Sequence, residues 1–143
     1  MRYIIGFFFT LFLFVFSGCT EEPSVPTSMQ INVVSSGNPT PVALYFFALD
    51  SDERFRRMDY VELMRAKQTK LEGDILIQDK KILPVGGKIS KTFRLPPNTR
   101  YFGVVASFSD VDNSDNWRKI QGVGNGINNM TLYIGNNEIR QEY

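Results

Sequence analysis

From Met29 onward, apolar side chains recur at every second position. Met29, Ile31 and Val33 stand on one side, with Gln30, Asn32 and Val34 between them. Period two places alternate side chains on opposite faces of an extended chain, so this stretch predicts a half-buried β-strand. Residues 35–40, Ser-Ser-Gly-Asn-Pro-Thr, read as a turn. Residues 42–49 are apolar on both faces, which fits a central strand covered on both sides. Residues 50–70 then change period. Phe55, Met58 and Val61 recur at threes, and Tyr60, Leu63 and Met64 share a helical face. Asp59 with Glu62 three residues later forms a capping-box pattern, so one or two short helices are expected here, covering one sheet face.

Strand patterns return at residues 74–79 and 81–83, followed by the turn Pro84-Val85-Gly86-Gly87. Residues 88–95 alternate Ile89, Lys91, Phe93 and Leu95 with Lys88, Ser90, Thr92 and Arg94. After the turn Pro96-Pro97-Asn98, residues 101–109 form a long apolar run broken by Gly103. Residues 117–123 and 130–134 give two more strands, separated by a Gly/Asn loop. About seven or eight strands with turns between them must pack their apolar faces on something. The expected fold is all-β, a two-sheet sandwich with a short helical insertion; a closed barrel is the alternative.

The N-terminus follows another logic. Arg2 precedes a run, residues 3–16, that is apolar except for Thr10, and Ser17-Gly18-Cys19 follow. Fourteen residues are too few to span a bilayer and suit the apolar core of a signal peptide. The small residues directly before the cysteine resemble the bacterial lipobox, with Phe16 where Leu is usual. That resemblance implies a diacylglycerol thioether on Cys19 and cleavage before it. Thr20, where an Asp would signal retention in the inner membrane of enteric bacteria, points to the outer membrane. The expected organisation is a signal peptide over 1–18, an acylated N-terminus and flexible tether over 19–28, and a periplasmic sandwich over 29–143. Eight tether residues reach at most about 26–29 Å, which keeps the domain near its membrane.

Composition then narrows the chemistry. The 16 Lys and Arg lose Arg2 with the leader, leaving 15 against 15 Asp and Glu. A neutral chain without a basic stripe lacks the phosphate-neutralising surplus of a nucleic-acid binder. Zero histidines exclude an imidazole base or ligand, and one cysteine excludes an internal disulfide and a cysteine-cluster metal site. What remains is carboxylate, Lys or Tyr chemistry, or no chemistry at all, and no cofactor is expected.

The remaining motifs have ordinary accounts. Asp110-Val111-Asp112-Asn113-Ser114-Asp115 begins like a calcium loop, but Asp115 and Gln121 stand where such a loop needs Gly and Glu. It reads as a solvated hairpin loop, a place where rigid sandwiches carry partner contacts. Gly122-x-Gly124-x-Gly126 lacks a surrounding βαβ unit and reads as turn flexibility. Arg54, Arg56 and Arg57 beside Asp52 and Glu53 read as a solvated helix face, with attraction to anionic headgroups as the alternative. Trp117 reads as core in preference to an interface anchor. Asn129-x-Thr131 fits a glycosylation sequon, a chance match behind a bacterial lipobox.

Several features line up in order behind that lipobox. Phe55, Asp59-Tyr60 and Leu63 follow an apolar strand; then come Leu83-Pro84-x-Gly86, the run Tyr101-Phe102-Gly103-Val104-Val105-Ala106-Ser107-Phe108, and Trp117-Arg118. This order resembles the TssJ (SciN-like) lipoproteins of bacterial type VI secretion systems. The resemblance implies a transthyretin-like sandwich with added helices, anchored on the periplasmic face of the outer membrane. It implies a structural role without enzymatic activity: binding the periplasmic domain of TssM, in a complex that also holds TssL. In that family the loop after the first strand contributes to TssM binding, and here the matching stretch, residues 35–40, is short. Candidate contacts are Ser36, Gly37 and Asn38 in that loop, with Asp110, Asp112 and Asn116 in the acidic loop; Cys19 is the lipid-attachment candidate. The rival reading is a lipid-anchored sandwich that binds a small ligand or cell-wall component, which calls for a concave apolar pocket.

Overall fold

The computed structural model describes residues 26–111 and 116–142. The expected leader, Cys19, residues 20–25 of the expected tether and Asp112 lie outside the described residues.

Eight strands form two four-stranded sheets. They are β1 (Ser28–Ser35), β2 (Val42–Leu49), β3 (Ile75–Leu83), β4 (Lys88–Arg94), β5 (Tyr101–Ser107), β6 (Arg118–Gly122), β7 (Ile127–Ile134) and β8 (Ile139–Glu142). The first sheet has the order β4-β1-β7-β8 and the second β3-β2-β5-β6. Every pairing is antiparallel except β1 with β7, which run parallel from Ser28–Ile127 to Ser35–Ile134. The two-sheet sandwich expected from the sequence is therefore the architecture observed.

The inner faces meet over an apolar core. Met29, Ile31 and Val33 of β1 are buried, as their alternation requires, and face the second sheet. Phe46 of β2, Phe93 of β4 and Phe102 of β5 pack as a triad with ring centroids 5.3–6.4 Å apart. Each fully buried ring of this kind contributes about 1.5–3 kcal/mol of transfer free energy. Polar contacts close both open sides of the sandwich. Lys91 of β4 pairs with Asp79 of β3 on one side. On the other, the Gln141 amide of β8 donates to the Gln121 carbonyl of β6 at 2.6 Å.

β2 is apolar on both faces because its outer face is covered too. Between β2 and β3 the chain forms α1 (Glu53–Arg57), α2 (Tyr60–Ala66) and a 3-10 segment (Lys67–Gly73). Phe55 of α1 packs edge-on against Phe47 of β2 at 5.6 Å. Opposite Phe47 in the sheet stands Gly103, where an added Cβ would come 2.7 Å from the Phe55 ring. Glycine in that otherwise apolar strand is thus a matter of space. The Asp59 half of the capping box forms: Asp59 Oδ1 accepts from the Glu62 amide at 2.8 Å.

Three details differ from expectation. The two segments 74–79 and 81–83 are one continuous strand, since Asp79, Lys80 and Lys81 sit on a sheet edge where charge is tolerated. β7 starts three residues earlier than the apolar pattern does, because pairing to β1 carries Ile127, Asn128 and Asn129 into the ladder. β8 has four residues, with only Ile139 buried, too little pattern to register as a strand.

Candidate functional site

Strand directions sort the connections to two ends. β1 starts beside Gly126 and Thr27 at one end, where Ser28 donates to the Gly126 carbonyl and Leu95 to the Thr27 carbonyl. The 95–100 and 123–126 connections lie at this same end, tied by Val123 donating to Arg100 at 2.8 Å. The turns β1–β2, β3–β4, β5–β6 and β7–β8 all lie at the other end. Eight residues of β1 separate the two ends, about 26 Å of extended chain.

The four-loop end is stitched together by hydrogen bonds. Ser35 donates from its amide to the Gly87 carbonyl at 2.9 Å, and its hydroxyl oxygen accepts from the Gly86 amide at 3.0 Å. Ser36 donates to the Ile134 carbonyl at 2.7 Å, and its hydroxyl accepts from Arg140 at 3.1 Å. Ile139 donates to the Asn116 carbonyl at 2.8 Å. Gly37 has a φ of +101°, a conformation that favours glycine. A hollow of about 230 Å³ lies among three of the loops, lined by Pro39, Thr40, Phe108, Asp110, Asn136 and Asn137, with Val42 and Ser109.

The structure thus brings Ser36, Gly37, Asn38, Asp110 and Asn116 to one end. Asp112 is outside the described residues. Their surroundings are unequal. Ser36, Gly37, Asp110 and Asn116 are exposed. Asn38 is 2% exposed; its side chain accepts from the Ser35 hydroxyl and donates to the Thr40 carbonyl, so it shapes the turn from inside. Sequence reasoning passed over Asn136, Asn137 and Arg140, which the unforeseen β8 delivers to the same end. The available signal was Gly135-Asn136-Asn137, a turn sequence ahead of Ile139.

Trp117 and Arg118 act together behind this end. Trp117 is buried and meets Tyr60 of α2 edge-on at 5.5 Å, which is the core placement. The Arg118 guanidinium stacks on the Trp117 ring at 4.5 Å and donates to the carbonyls of Phe55 and Met58. It therefore satisfies backbone acceptors left open where α1 ends. Burial first, and then nearby Arg56, lower the Arg118 pKa from its ordinary value, while Asp59 opposes them. Tyr60 shares a 2.6 Å hydrogen bond with Ser107 of β5, which fixes α2 on the sheet. Two of the helix arginines are in ion pairs: Arg56 with Asp52, and Arg54 with Glu72 at 2.8 Å.

Among the described residues, no group of three or more His, Cys, Asp or Glu is placed to hold a metal ion. A hollow of about 620 Å³ lies at the end where the chain enters, lined by Pro26, Thr27, Arg94, Leu95, Pro97, Asn125 and Gly126.

The sequence profile of the type VI secretion lipoprotein family, described as VasD, EvfM and TssJ, matches residues 22–137. The chain belongs to this family. Its similarity to TssJ1, the type VI secretion lipoprotein of Pseudomonas aeruginosa, is 28% identity over 82% of this chain and 95% of that one, with a TM-score of 0.75. Serratia marcescens Lip, a membrane-bound component of the type VI secretion system, shares the fold at 19% identity, 83% and 98% coverage and a TM-score of 0.75. A chain from a structure of the type VI TssM C-terminal domain from EAEC also shares it, at 18% identity, 82% and 98% coverage and a TM-score of 0.68. No curated protein matches the sequence significantly. The lipoprotein family and sandwich fold expected from the ordered motifs are therefore those found. In this chain those motifs resolve into the helical cover (Phe55, Asp59-Tyr60, Leu63), the strand with Gly103 beneath it, and the Trp117-Arg118 clamp.

Proposed function

We propose that this lipoprotein is an assembly component that ties the type VI membrane complex to the outer membrane by binding the periplasmic domain of TssM. On this reading, residues 1–18 are a cleaved leader, Cys19 carries the acyl chains, residues 19–28 are the tether, and 29–143 form the periplasmic domain. The observation that carries it is polarity. The chain enters the sandwich at the Pro26–Thr27 end, and four cross-linked loops cap the opposite end. A membrane anchor on the first end presents the second to the periplasm. Acyl chains contribute about 0.8 kcal/mol per buried CH₂, and two or more hold a protein stably. Confinement in a thin layer then raises the effective concentration of domain and partner. TssL joins through the same assembly.

The test has two parts. Mass spectrometry of the native protein should find Cys19 as the acylated N-terminal residue; a bare thiol or an intact leader would overturn the anchor. Affinity capture from detergent-solubilised envelopes should recover TssM and TssL, with recovery lost when Thr40 and Asn136 at the loop end are changed to Arg. Equal recovery with that variant would move the contact elsewhere.

A further inference from the structure

The outer face of the second sheet is only partly covered by the helices. Beyond Phe47, its cross-strand pairs are Tyr45 with Lys80 and Ala43 with Ile82. Two hollows, about 380 and 450 Å³, share Tyr45, Lys67 and Gln68, one beside β3 and the other beside α2. The first also reaches Gln78, Asp79 and Lys80, and the second Tyr60, Val61, Met64 and Arg65. Three of the four large exposed apolar side chains among the described residues, Val61, Ile82 and Val85, lie on this face or on the turn just past it. An apolar strip of this kind commonly marks a contact surface.

Its charge is one-sided. Lys67 Nζ sits 3.9 Å from the Tyr45 ring centroid and Lys80 Nζ 5.6 Å from it. The two ammonium groups therefore lie within about 10 Å of each other, inside one screening length. Neither they nor Arg65 is in an ion pair with a carboxylate among the described residues. The one acid lining the hollows, Asp79, is taken by Lys91. Two like charges brought to one aromatic ring form a place that an added carboxylate would relieve. The patch stands on the flank of the sandwich, with Tyr45 four positions up β2 from the end where the chain enters.

We propose that the surface around Tyr45, flanked by α2 on one side and β3 on the other, is a docking site for an acidic, apolar segment of a partner protein. One carboxylate of that segment seats between Lys67 and Lys80 on the Tyr45 ring, and its apolar side chains lie against Val61, Met64 and Ile82. The charge argues for carboxylates, and the exposed apolar strip for apolar side chains between them. The proposal is independent of the role given to the loop end.

The test uses the full chain in non-ionic detergent, titrated with a fluorescent eight-residue peptide alternating Glu and Phe. Saturable binding is expected, with at least tenfold weaker affinity for the same peptide carrying Lys or Gln in place of Glu. The pair Lys67→Glu and Lys80→Glu should weaken binding at least tenfold, and so should 0.5 M salt. Thr40→Arg at the loop end should leave it unchanged. If charge reversal perturbs folding, Lys67→Gln with Lys80→Gln, checked by an unchanged unfolding midpoint, serves instead. Equal affinity for the acidic and neutral peptides overturns the proposal, as does binding indifferent to the paired substitutions. Full displacement of the peptide by phosphatidylglycerol vesicles, with none by phosphatidylcholine, makes the patch a headgroup site and equally overturns it.

Discussion

Arg118 holds three pieces of chain at once. Its guanidinium lies on Trp117 and donates to the Phe55 and Met58 carbonyls, so strand β6, the end of α1 and the approach to α2 share one side chain. Removing it leaves half-buried carbonyls without their donor, and hydrogen bonds to charged groups are worth about 1.5–3 kcal/mol. Arg118→Ala should lower the unfolding free energy by about 2 kcal/mol in urea titrations, and Arg118→Lys should recover little, since a single ammonium lacks the planar fork that stacks on Trp117. Asp79 supplies a pH dependence. Its hydrogen bond to Lys91 holds its pKa below the ordinary 3.8, against an opposing effect of burial. A carboxyl depressed in the folded state stabilises above its unfolded pKa and loses that contribution as pH falls through the folded value. Asp79→Asn should therefore flatten the stability profile between about pH 5 and pH 2 while leaving its shape near neutrality unchanged. Lys70, Leu71 and Glu72 stand consecutively at φ values of 54°, 48° and 57°. The left-handed region costs an L-residue about 1–2 kcal/mol. Burial of Leu71 and the Arg54 hydrogen bond to its carbonyl offset that cost. Exposed Lys70→Gly should raise the unfolding midpoint, by about 1 kcal/mol of stability.

The helical insertion is the element that departs most from a plain sandwich. It exists because β2 is apolar on both faces: a bare outer face would leave Phe47 in water. α1 and α2 are too short to be stable alone. They hold because Phe55 and Leu63 are fully buried against the sheet and because Asp59 caps α2. Gly103 is the sheet's half of that contact. A methyl group there meets the Phe55 ring at 2.7 Å, so Gly103→Ala should destabilise by about 1–3 kcal/mol, the usual cost of overpacking. Gly103→Ala combined with Phe55→Leu should recover part of the loss in the same denaturation assay, because the smaller side chain frees the space. The insertion was legible in the shift from period two to helical period and in the Asp59–Glu62 spacing. β8 was not, because four residues with one buried side chain look like a tail until β7 supplies their hydrogen-bond partners.

For the molecule as a whole, the arrangement of ends matters more than any one loop. The chain enters opposite the four-loop end, so under the proposed anchoring a change in the length of the proposed tether would move the loop end relative to the bilayer without altering a contact within the domain. Exposed Asn136 and Thr40 belong to different loops but line one hollow. Arg at both should weaken TssM capture while leaving the urea midpoint within the ±0.5 kcal/mol usual for surface substitutions. The candidate residues illustrate how far sequence reaches. Ser36, Gly37 and Asn116 were legible as loop residues from turn composition alone. That Asn38 turns inward to bind Ser35 and Thr40 depends on a fold of the loop that no periodicity records.

The sequence alone determined the near-zero net charge of +1, the strand count to within one, the helical insertion and the family pattern, because these follow from local period, composition and order along the chain. Tertiary structure decided the parallel pairing of β1 with β7, the gathering of four turns at the end away from Pro26 and Thr27, and the meeting of Lys67 and Lys80 on Tyr45. Those are contacts between residues far apart in the chain, and only the closing of the sheets brings them together.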